Sequence, residues 1–319
     1  MRAIVSKMVF ALVLASAGAL CASAVRAQDS DPGDMQMSLC DALAAHPLDR
    51  DRPKGFSGVD VIAKADADAA ADACNAASEA RALSDPNMRR LAFELGRALE
   101  AQGKMAEALE SYRWASTKGS TMAKVTLALI ELEGKGTPKK PEKAIAHLQE
   151  AAGDGDVTAM VNLGAIYGGG VGTQVDLDEA KRWYELAAGE DNGEAMFQLG
   201  LMARDGEAGR KDDKAAKGWF EKAAAQNRAD AMVELGHFAE DGRAGPKDLA
   251  KALQFYEKAV ALGSADGKTN AARLRGAIAQ KSAEEILGGR LCVPMERSSA
   301  TASRISAATS VDAPGCAAL

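Results

Sequence analysis

The sequence has few of the residues that build metal and catalytic sites. It contains only three histidines, His46, His147 and His237, and they lie far apart along the chain. None has a cysteine or carboxylate at a spacing specific to a zinc site, which needs several such ligands together. No nucleophile elbow is present, and no serine has a local histidine and acid arrangement. We therefore expect no catalytic residues, no metal and no cofactor.

Long apolar runs are also missing, apart from one near the start of the chain. Arg2 and Lys7 precede an apolar stretch from Met8 to Leu20, and Val25-Arg26-Ala27 fits a small-x-small cleavage pattern. This order predicts a secretory signal peptide at residues 1–27. An uncleaved membrane anchor is the alternative, but serines interrupt the stretch and a span needs about 20 apolar residues. We expect a periplasmic or secreted protein with no membrane insertion after cleavage.

The chain has no surplus of positive charge. Its formal net charge is -6, and removing the three positive residues of the signal peptide would take it to -9. A negative balance argues against nucleic acid or an anionic membrane surface as the main partner, because both attract basic proteins.

Cysteine is scarce but even in number after the predicted signal peptide. Four remain there, namely Cys40, Cys74, Cys292 and Cys316. An even count in an exported protein favours disulfides over free thiols. Four cysteines allow three connectivities, and the positions suggest two local bridges, Cys40 with Cys74 and Cys292 with Cys316.

What the sequence does have is an internal repeat of 36 residues. Leucine recurs at this spacing, and glycine follows it in the last three of four cases. A second block recurs with alanines seven residues apart and an aromatic or leucine between them. The columns are Leu127, Leu163, Leu199 and Leu235; Ala144, Ala180, Ala216 and Ala252; Tyr112, Leu148, Tyr184, Phe220 and Tyr256. Each block predicts an amphipathic helix, and such pairs must stack to bury their apolar faces. The pattern predicts an all-α fold, a right-handed α-solenoid of stacked helix pairs.

The glycine run at residues 168–172, "GGGVG", belongs to this repeat. Its central residue, Gly170, shares a column with Gly134, Gly206 and Gly242, where the first helix of each unit ends. A phosphate loop would follow a strand rather than a helix, so nucleotide binding is not expected. Aspartates recur where each second helix starts and predict N-caps there. They are Asp176, Asp212 and Asp248.

The third unit carries the pattern A-x3-LG-x2-Y-x2-G-x-G and, after it, D-x3-A-x2-WY-x2-AA. Its matches are Ala159, Leu163, Gly164, Tyr167, Gly170, Gly172, Asp176, Ala180, Trp183, Tyr184, Ala187 and Ala188. This unit resembles a Sel1-like repeat, from a family related to tetratricopeptide repeats. The resemblance covers residues 120–263 as four units, with departures at Ala128, Glu131 and Thr173. The unit before them looks more like a tetratricopeptide repeat.

The flanks of the repeats predict caps for the stack. We expect an N-terminal helical cap with the Cys40–Cys74 pair at residues 28–86, five helix-pair repeats at 87–263 and a capping helix at 264–287. Residues 288–319 are rich in serine, alanine and threonine without a period, which predicts a flexible tail.

By analogy with related repeats, the first helices would line a concave face that binds a partner. The predicted lining residues are Arg90, Phe93, Arg97, Met122, Val125, Leu129, Val161, Ala165, Phe197, Leu201, Arg204, Val233, His237 and Glu240. For the apolar members, ordinary packing between helices is an equal alternative. An extended peptide or a helix of the partner would suit this groove better than a small polar metabolite.

The resemblance implies a function in binding another protein rather than catalysis. Sel1-like proteins include periplasmic regulators of sensor kinases and factors that assemble envelope structures, so an envelope or sensor protein is the expected partner. The alternative is a binder or hydrolase of β-lactams or cell-wall fragments, although the β-lactam-associated relatives carry cysteine pairs within repeats that this chain lacks. A structural spacer in a larger assembly is the third possibility.

Overall fold

The computed structural model of this chain describes residues 32–81 and 87–291. The predicted signal peptide and the predicted Cys292–Cys316 pair lie outside these residues. Over the described ranges the chain forms thirteen α-helices and no strand. The prediction of an all-α repeat solenoid is confirmed.

Two helices precede the repeats, and one follows them. The first two are α1 (Pro32–Ala44) and α2 (Ala67–Glu79), joined by the Cys40–Cys74 disulfide. The last is α13 (Ala265–Leu291), which continues past the predicted end of the capping helix at residue 287. None of the described helices combines the length and the apolar character that a bilayer crossing requires.

Five helix pairs lie between these flanks. The first helices of the pairs are α3 (Met88–Ala101), α5 (Thr121–Glu133), α7 (Val157–Gly169), α9 (Gly193–Asp205) and α11 (Ala229–Asp241). The second helices are α4 (Met105–Thr117), α6 (Pro141–Gly153), α8 (Leu177–Gly189), α10 (Asp213–Ala225) and α12 (Leu249–Ala261). The two helices of each pair pack on each other, and each second helix packs on the first helix of the next pair. Buried residues from α5 to α11 form one hydrophobic cluster, and further clusters lie at both ends of the stack.

Side-chain caps fix where most repeat helices begin. The predicted caps of second helices are confirmed, because a carboxylate oxygen of Asp176, Asp212 and Asp248 accepts the backbone N–H three residues on, each at 2.9 Å. Three of the five first helices use a second column that was not predicted from the sequence, Ser120, Asp156 and Asn192. These bonds satisfy amides that the helix itself leaves unpaired.

Left-handed residues fix where four of the five first helices end. Gly134, Gly170, Gly206 and Gly242 all have φ between 65° and 80° at the C-cap, as their shared column predicts. Glycine adopts this conformation without the steric cost that a Cβ brings. The glycine run at residues 168–172 therefore closes a helix.

A glycine and an aromatic ring pack together inside four of the five pairs. A Cβ built on Gly200 would lie 2.5 Å from the Phe220 ring, and the same contact occurs at Gly96, Gly164 and Gly236 with tyrosine rings. The second unit has Ala128 and Leu148 in these two positions, and both side chains are fully buried. The smaller Leu148 leaves room for the alanine methyl group, so this departure from the repeat pattern is compensated within the pair.

Candidate functional site

Five of the fourteen residues predicted to line the partner face are buried, and they leave the candidate surface. Their exposed fractions are 5% for Arg90, 1% for Phe93, 4% for Met122, 2% for Val125 and 7% for Val233. Neighbouring elements cover them: the Phe93 ring packs against Tyr112 with centroids 5.8 Å apart, and Val233 packs in the cluster formed with α12 and α13. The four buried apolar residues, Phe93, Met122, Val125 and Val233, therefore serve in packing between helices.

Arg97 holds the N-terminal cap on the first repeat. Its guanidinium donates to the backbone oxygens of Ala44, Val59 and Asp60 at 2.6 to 2.7 Å. These three hydrogen bonds tie the end of α1 and the middle of the segment between α1 and α2 to helix α3. This arginine is therefore committed to a contact within the chain.

The remaining predicted residues lie on the first helices of the last four pairs, and we call them the first-helix face. They are Leu129, Val161, Ala165, Phe197, Leu201, Arg204, His237 and Glu240. Their side chains are exposed or half-buried, and the first five, which we call the apolar strip, occupy repeat-related positions of α5, α7 and α9. Val161, Phe197 and Leu201 of this strip also pack against the core. Leu129 and Ala165 are the most open members of this strip, with 39% of Leu129 accessible.

The first-helix face becomes charged toward the C-terminal end of the stack. Arg204 on α9 bridges to Glu234 on α11, with 2.9 Å between nitrogen and oxygen. Glu240 accepts a hydrogen bond from the Tyr256 hydroxyl at 2.8 Å and pairs with Arg273 of α13 at 2.6 Å. The Arg273 hydrogen bond lowers the pKa of Glu240, and the Tyr256 bond adds to this effect. The Arg204–Glu234 pair thus links the first helices α9 and α11, and Glu240 links α11 to α12 and α13.

An open cavity of about 580 Å³ adjoins the charged end of this face. It lies beside Phe197, where the turn before α11 meets the turn before α13. Its apolar wall comes from Phe197, Val233 and Leu262, and its acidic wall from Asp230, Glu234 and Asp266. One cation, Arg228, also lines it. We call this space the α9–α11–α13 cavity.

A buried polar cluster in the N-terminal cap was not identified from the sequence. Arg90 Nε lies 3.1 Å from Asp41 Oδ1 and 3.8 Å from Glu94 Oε1, and these three side chains are 5% exposed or less. Burial raises the pKa of Glu94 to about 9, with a further contribution from the Asp41 charge. Glu94 is thus neutral near pH 7, while Asp41 pairs with the guanidinium.

The disulfide lies against the same buried acid. Glu94 Oε2 is 3.0 Å from Cys40 Sγ. A disulfide sulfur carries no proton, so a protonated carboxyl fits this contact better than a carboxylate. Arg90 and Glu94 are four residues apart, which is also the usual spacing of ion pairs on an exposed helix surface. The sequence spacing therefore could not predict that this pair is buried.

Ligand atoms of Cys40, Cys74 and Glu94 come within 4.8 Å of one another. Metals bind the cysteine thiolate, and both sulfurs here are bonded to each other. His147 Nδ1 instead lies 3.2 Å from Glu131, and His237 packs edge-on against Tyr256 with centroids 5.6 Å apart. The structure therefore places these histidines in separate local contacts.

Comparison with known proteins agrees with the repeat frame. The Sel1 repeat family matches residues 123–156, 157–192, 193–227 and 229–264. A protective antigen of uropathogenic Escherichia coli strains, which displays an SLR fold, is 26% identical with a TM-score of 0.57. The match covers 64% of this chain but only 43% of the antigen, so this chain spans less than half of the antigen's length.

A second solved structure shares the fold over its whole length. A Sel1 repeat protein from Oxalobacter formigenes is 23% identical with a TM-score of 0.53, and the match covers 69% of this chain and 99% of that protein. No curated protein matched the chain.

Proposed function

Residues 123–264 form four Sel1 repeats stacked in one solenoid, and from this premise we propose that the chain is a protein-binding scaffold. The partner contacts the first-helix face, and the chain itself performs no catalysis. The observation that carries the proposal is the apolar strip of Leu129, Val161, Ala165, Phe197 and Leu201, which crosses three successive first helices in register.

The strip has the geometry of a docking surface for a peptide or a helix. Its members occur at matching positions in consecutive repeats, so they form a row along the stack rather than an isolated pocket. Contiguous exposed apolar surface rimmed by polar groups is typical of protein interaction sites. The Arg204–Glu234 ion pair, with 2.9 Å between nitrogen and oxygen, borders the row and provides such a polar rim. An extended segment or an amphipathic helix of a partner would bury this row.

We further propose that the protein acts after export, in the periplasm or outside the cell, on an envelope or sensor protein. Two observations support this location. Residues 1–27 have the order of a secretory signal peptide, and Cys40 is bonded to Cys74, a bond that persists in oxidising compartments. The regulatory role of related periplasmic proteins is the basis for naming this class of partner.

The proposal is tested by capture of a partner from an envelope extract, with identification by mass spectrometry. A variant carrying Phe197→Asp and Leu201→Asp places two charges in the strip and should lose the protein that wild type captures. Both side chains are half-buried and pack against the core, with the Phe197 ring centroid 5.8 Å from that of Phe220, so the two charges also cost stability. Helical circular dichroism and the urea unfolding midpoint show whether the variant stays folded under the capture conditions.

A matched control has the same number of charges at exposed apolar positions of second helices. Leu186 on α8 is 47% exposed and Val260 on α12 is 39% exposed, so Leu186→Asp with Val260→Asp should leave capture intact. If both double variants capture the partner equally, the first-helix face is not the binding surface. Turnover of a chromogenic β-lactam or of muropeptides by purified protein would instead favour the enzymatic alternative.

A further inference from the structure

The α9–α11–α13 cavity combines an apolar wall with an excess of carboxylates. Phe197 and the exposed Leu262 provide the accessible apolar surface, and the largely buried Val233 also lines the cavity. Because the two walls face one volume of about 580 Å³, a single side chain entering the cavity would meet both.

The arginines at this place do not neutralise the carboxylates. Arg228 lies 2.5 Å from both Glu194 and Asp230, so one guanidinium serves two acids. Arg204 pairs with Glu234 at 2.9 Å but also with Asp205 at 2.7 Å. Asp266 adds a further exposed carboxylate at the start of α13. The surroundings of the cavity therefore attract cations.

The apolar wall decides which kind of cation fits. A hydrated metal ion gains nothing from contact with a phenyl ring and aliphatic side chains. Lysine and arginine bury a hydrocarbon stem along apolar surface while the charged head stays in a polar region. Phe197 already packs with a guanidinium, since Arg228 Cζ lies 5.8 Å from the ring centroid.

We propose that this cavity binds an arginine or lysine side chain of the partner, next to an aliphatic residue that packs on the apolar strip. The proposal rests on the proposed function, because it names the chemistry of the segment that the first-helix face takes up. The stem contacts Phe197 and Leu262, and the charged head joins the carboxylates of Asp230 and Asp266.

Selection from a phage-displayed library of random peptides on the full chain tests this chemistry even while the partner is unidentified. Enriched peptides should carry arginine or lysine beside an aliphatic residue. Enrichment of acidic or uncharged peptides, or no enrichment at all, would overturn the proposal. Binding of the most enriched peptide should also weaken as salt is added, because exposed charges are screened.

Variants of the cavity then locate the contact. Asp230→Asn with Asp266→Asn should weaken that peptide at least about tenfold, the loss typical of a charge-assisted hydrogen bond. Replacing the basic residue of the peptide by alanine should weaken binding to wild type by a similar factor and add little in the variant. The control is Asp178→Asn with Glu221→Gln, two exposed acids on α8 and α10, which should leave affinity unchanged.

The outcomes separate this proposal from the scaffold function. If Phe197→Asp with Leu201→Asp abolishes partner capture while Asp230→Asn with Asp266→Asn changes neither capture nor peptide affinity, the first-helix face binds the partner and the cavity does not take its cation. If neither pair of substitutions affects capture, both proposals fail.

Discussion

At the scale of single residues, the contact between a glycine and a ring explains why four of the five pairs have a glycine opposite an aromatic residue. Gly96, Gly164, Gly200 and Gly236 each allow a ring to approach the backbone of a first helix. A Cβ at any of them would lie 2.3 to 2.6 Å from a ring carbon, well inside contact distance. The second unit shows the compensating exchange, with Ala128 opposite Leu148.

Gly200→Ala should therefore destabilise the protein by about 1 to 3 kcal/mol, the usual cost of overpacking a core. Adding Phe220→Leu should recover part of that loss, because it reproduces the Ala128 and Leu148 combination. A double-mutant cycle in chemical denaturation measures this coupling. Gly218→Ala is the control, since a Cβ there meets nothing within 4 Å and should stabilise helix α10. Strict additivity of the Gly200 and Phe220 substitutions would contradict the account.

Glu94 predicts a pH dependence of stability. Burial raises the pKa of Glu94 from its ordinary 4.5 to about 9, so the folded chain keeps a proton that the unfolded chain releases. The contribution of Glu94 to the free energy of unfolding is greatest below pH 4.5 and falls as the pH rises through about 9. Glu94→Gln keeps a neutral group in place and should remove most of this fall.

Urea unfolding at pH 5 and pH 8 measures the effect. Wild type should lose more stability between these two values than Glu94→Gln does, and the control Glu221→Gln, at an exposed site on α10, should behave as wild type. Equal losses in wild type and Glu94→Gln would show that Glu94 does not take up a proton on folding.

At the scale of helices, the short elements depend on their ends. A helix of 13 residues such as α10 is marginal alone, so its unpaired terminal amides matter. Asp212 satisfies one of them by accepting the Ala215 N–H at 2.9 Å. Helix α11 differs, because Arg228 occupies its N-cap position without a side-chain cap and turns instead to Asp230 and Glu194. Arg228, which stands where three of the other first helices have a capping side chain, also lines the α9–α11–α13 cavity.

Asp212→Ala should cost about 1 kcal/mol of stability, since it removes a cap from α10. Asp212→Asn keeps a side-chain oxygen for the same bond and should cost clearly less. Thermal and urea denaturation of the two variants give the comparison. A loss as large for asparagine as for alanine would mean that the aspartate acts through its charge rather than as a cap.

At the scale of the whole molecule, a stack of repeats is held mainly by contacts between neighbours, so its ends need their own stabilisation. The Cys40–Cys74 disulfide joins the two helices of the N-terminal cap across 34 residues of sequence. Arg97 and the Asp41–Arg90 pair then hold that cap on helix α3. The buried cluster and the disulfide thus act together at one end of the stack.

Replacing Cys40 and Cys74 by alanine should lower the stability of the cap by about 3 to 4 kcal/mol, the entropy expected for a loop of this length. Because distant repeats contact only their own neighbours, the loss should stay near the cap. Hydrogen exchange should accelerate in α1, α2 and α3 and stay unchanged in α9 to α12. Uniform acceleration along the chain would show that the stack unfolds as one cooperative unit.

Much of the fold could be predicted because its determinants recur at a fixed spacing. Gly170 ends one helix and Asp176 caps the start of the next, and both act through contacts within a few residues of sequence. Residues in the same columns act in the same way in other repeats. The partner face was harder to predict, because the flanking helices cover residues such as Arg90 and Val233 that the repeat register alone places on the surface. The Cys40–Glu94 contact joins positions 54 residues apart, and no periodic pattern reports it.

The central claim is that the first-helix face, and not the second helices, contacts a partner protein. Site-specific photo-crosslinking tests it most directly, with a photoreactive amino acid in place of Ala165, which is exposed on α7, or in place of Leu186 on α8. The account predicts a crosslink to the captured partner from position 165 and none from position 186. A crosslink from position 186 alone would contradict it.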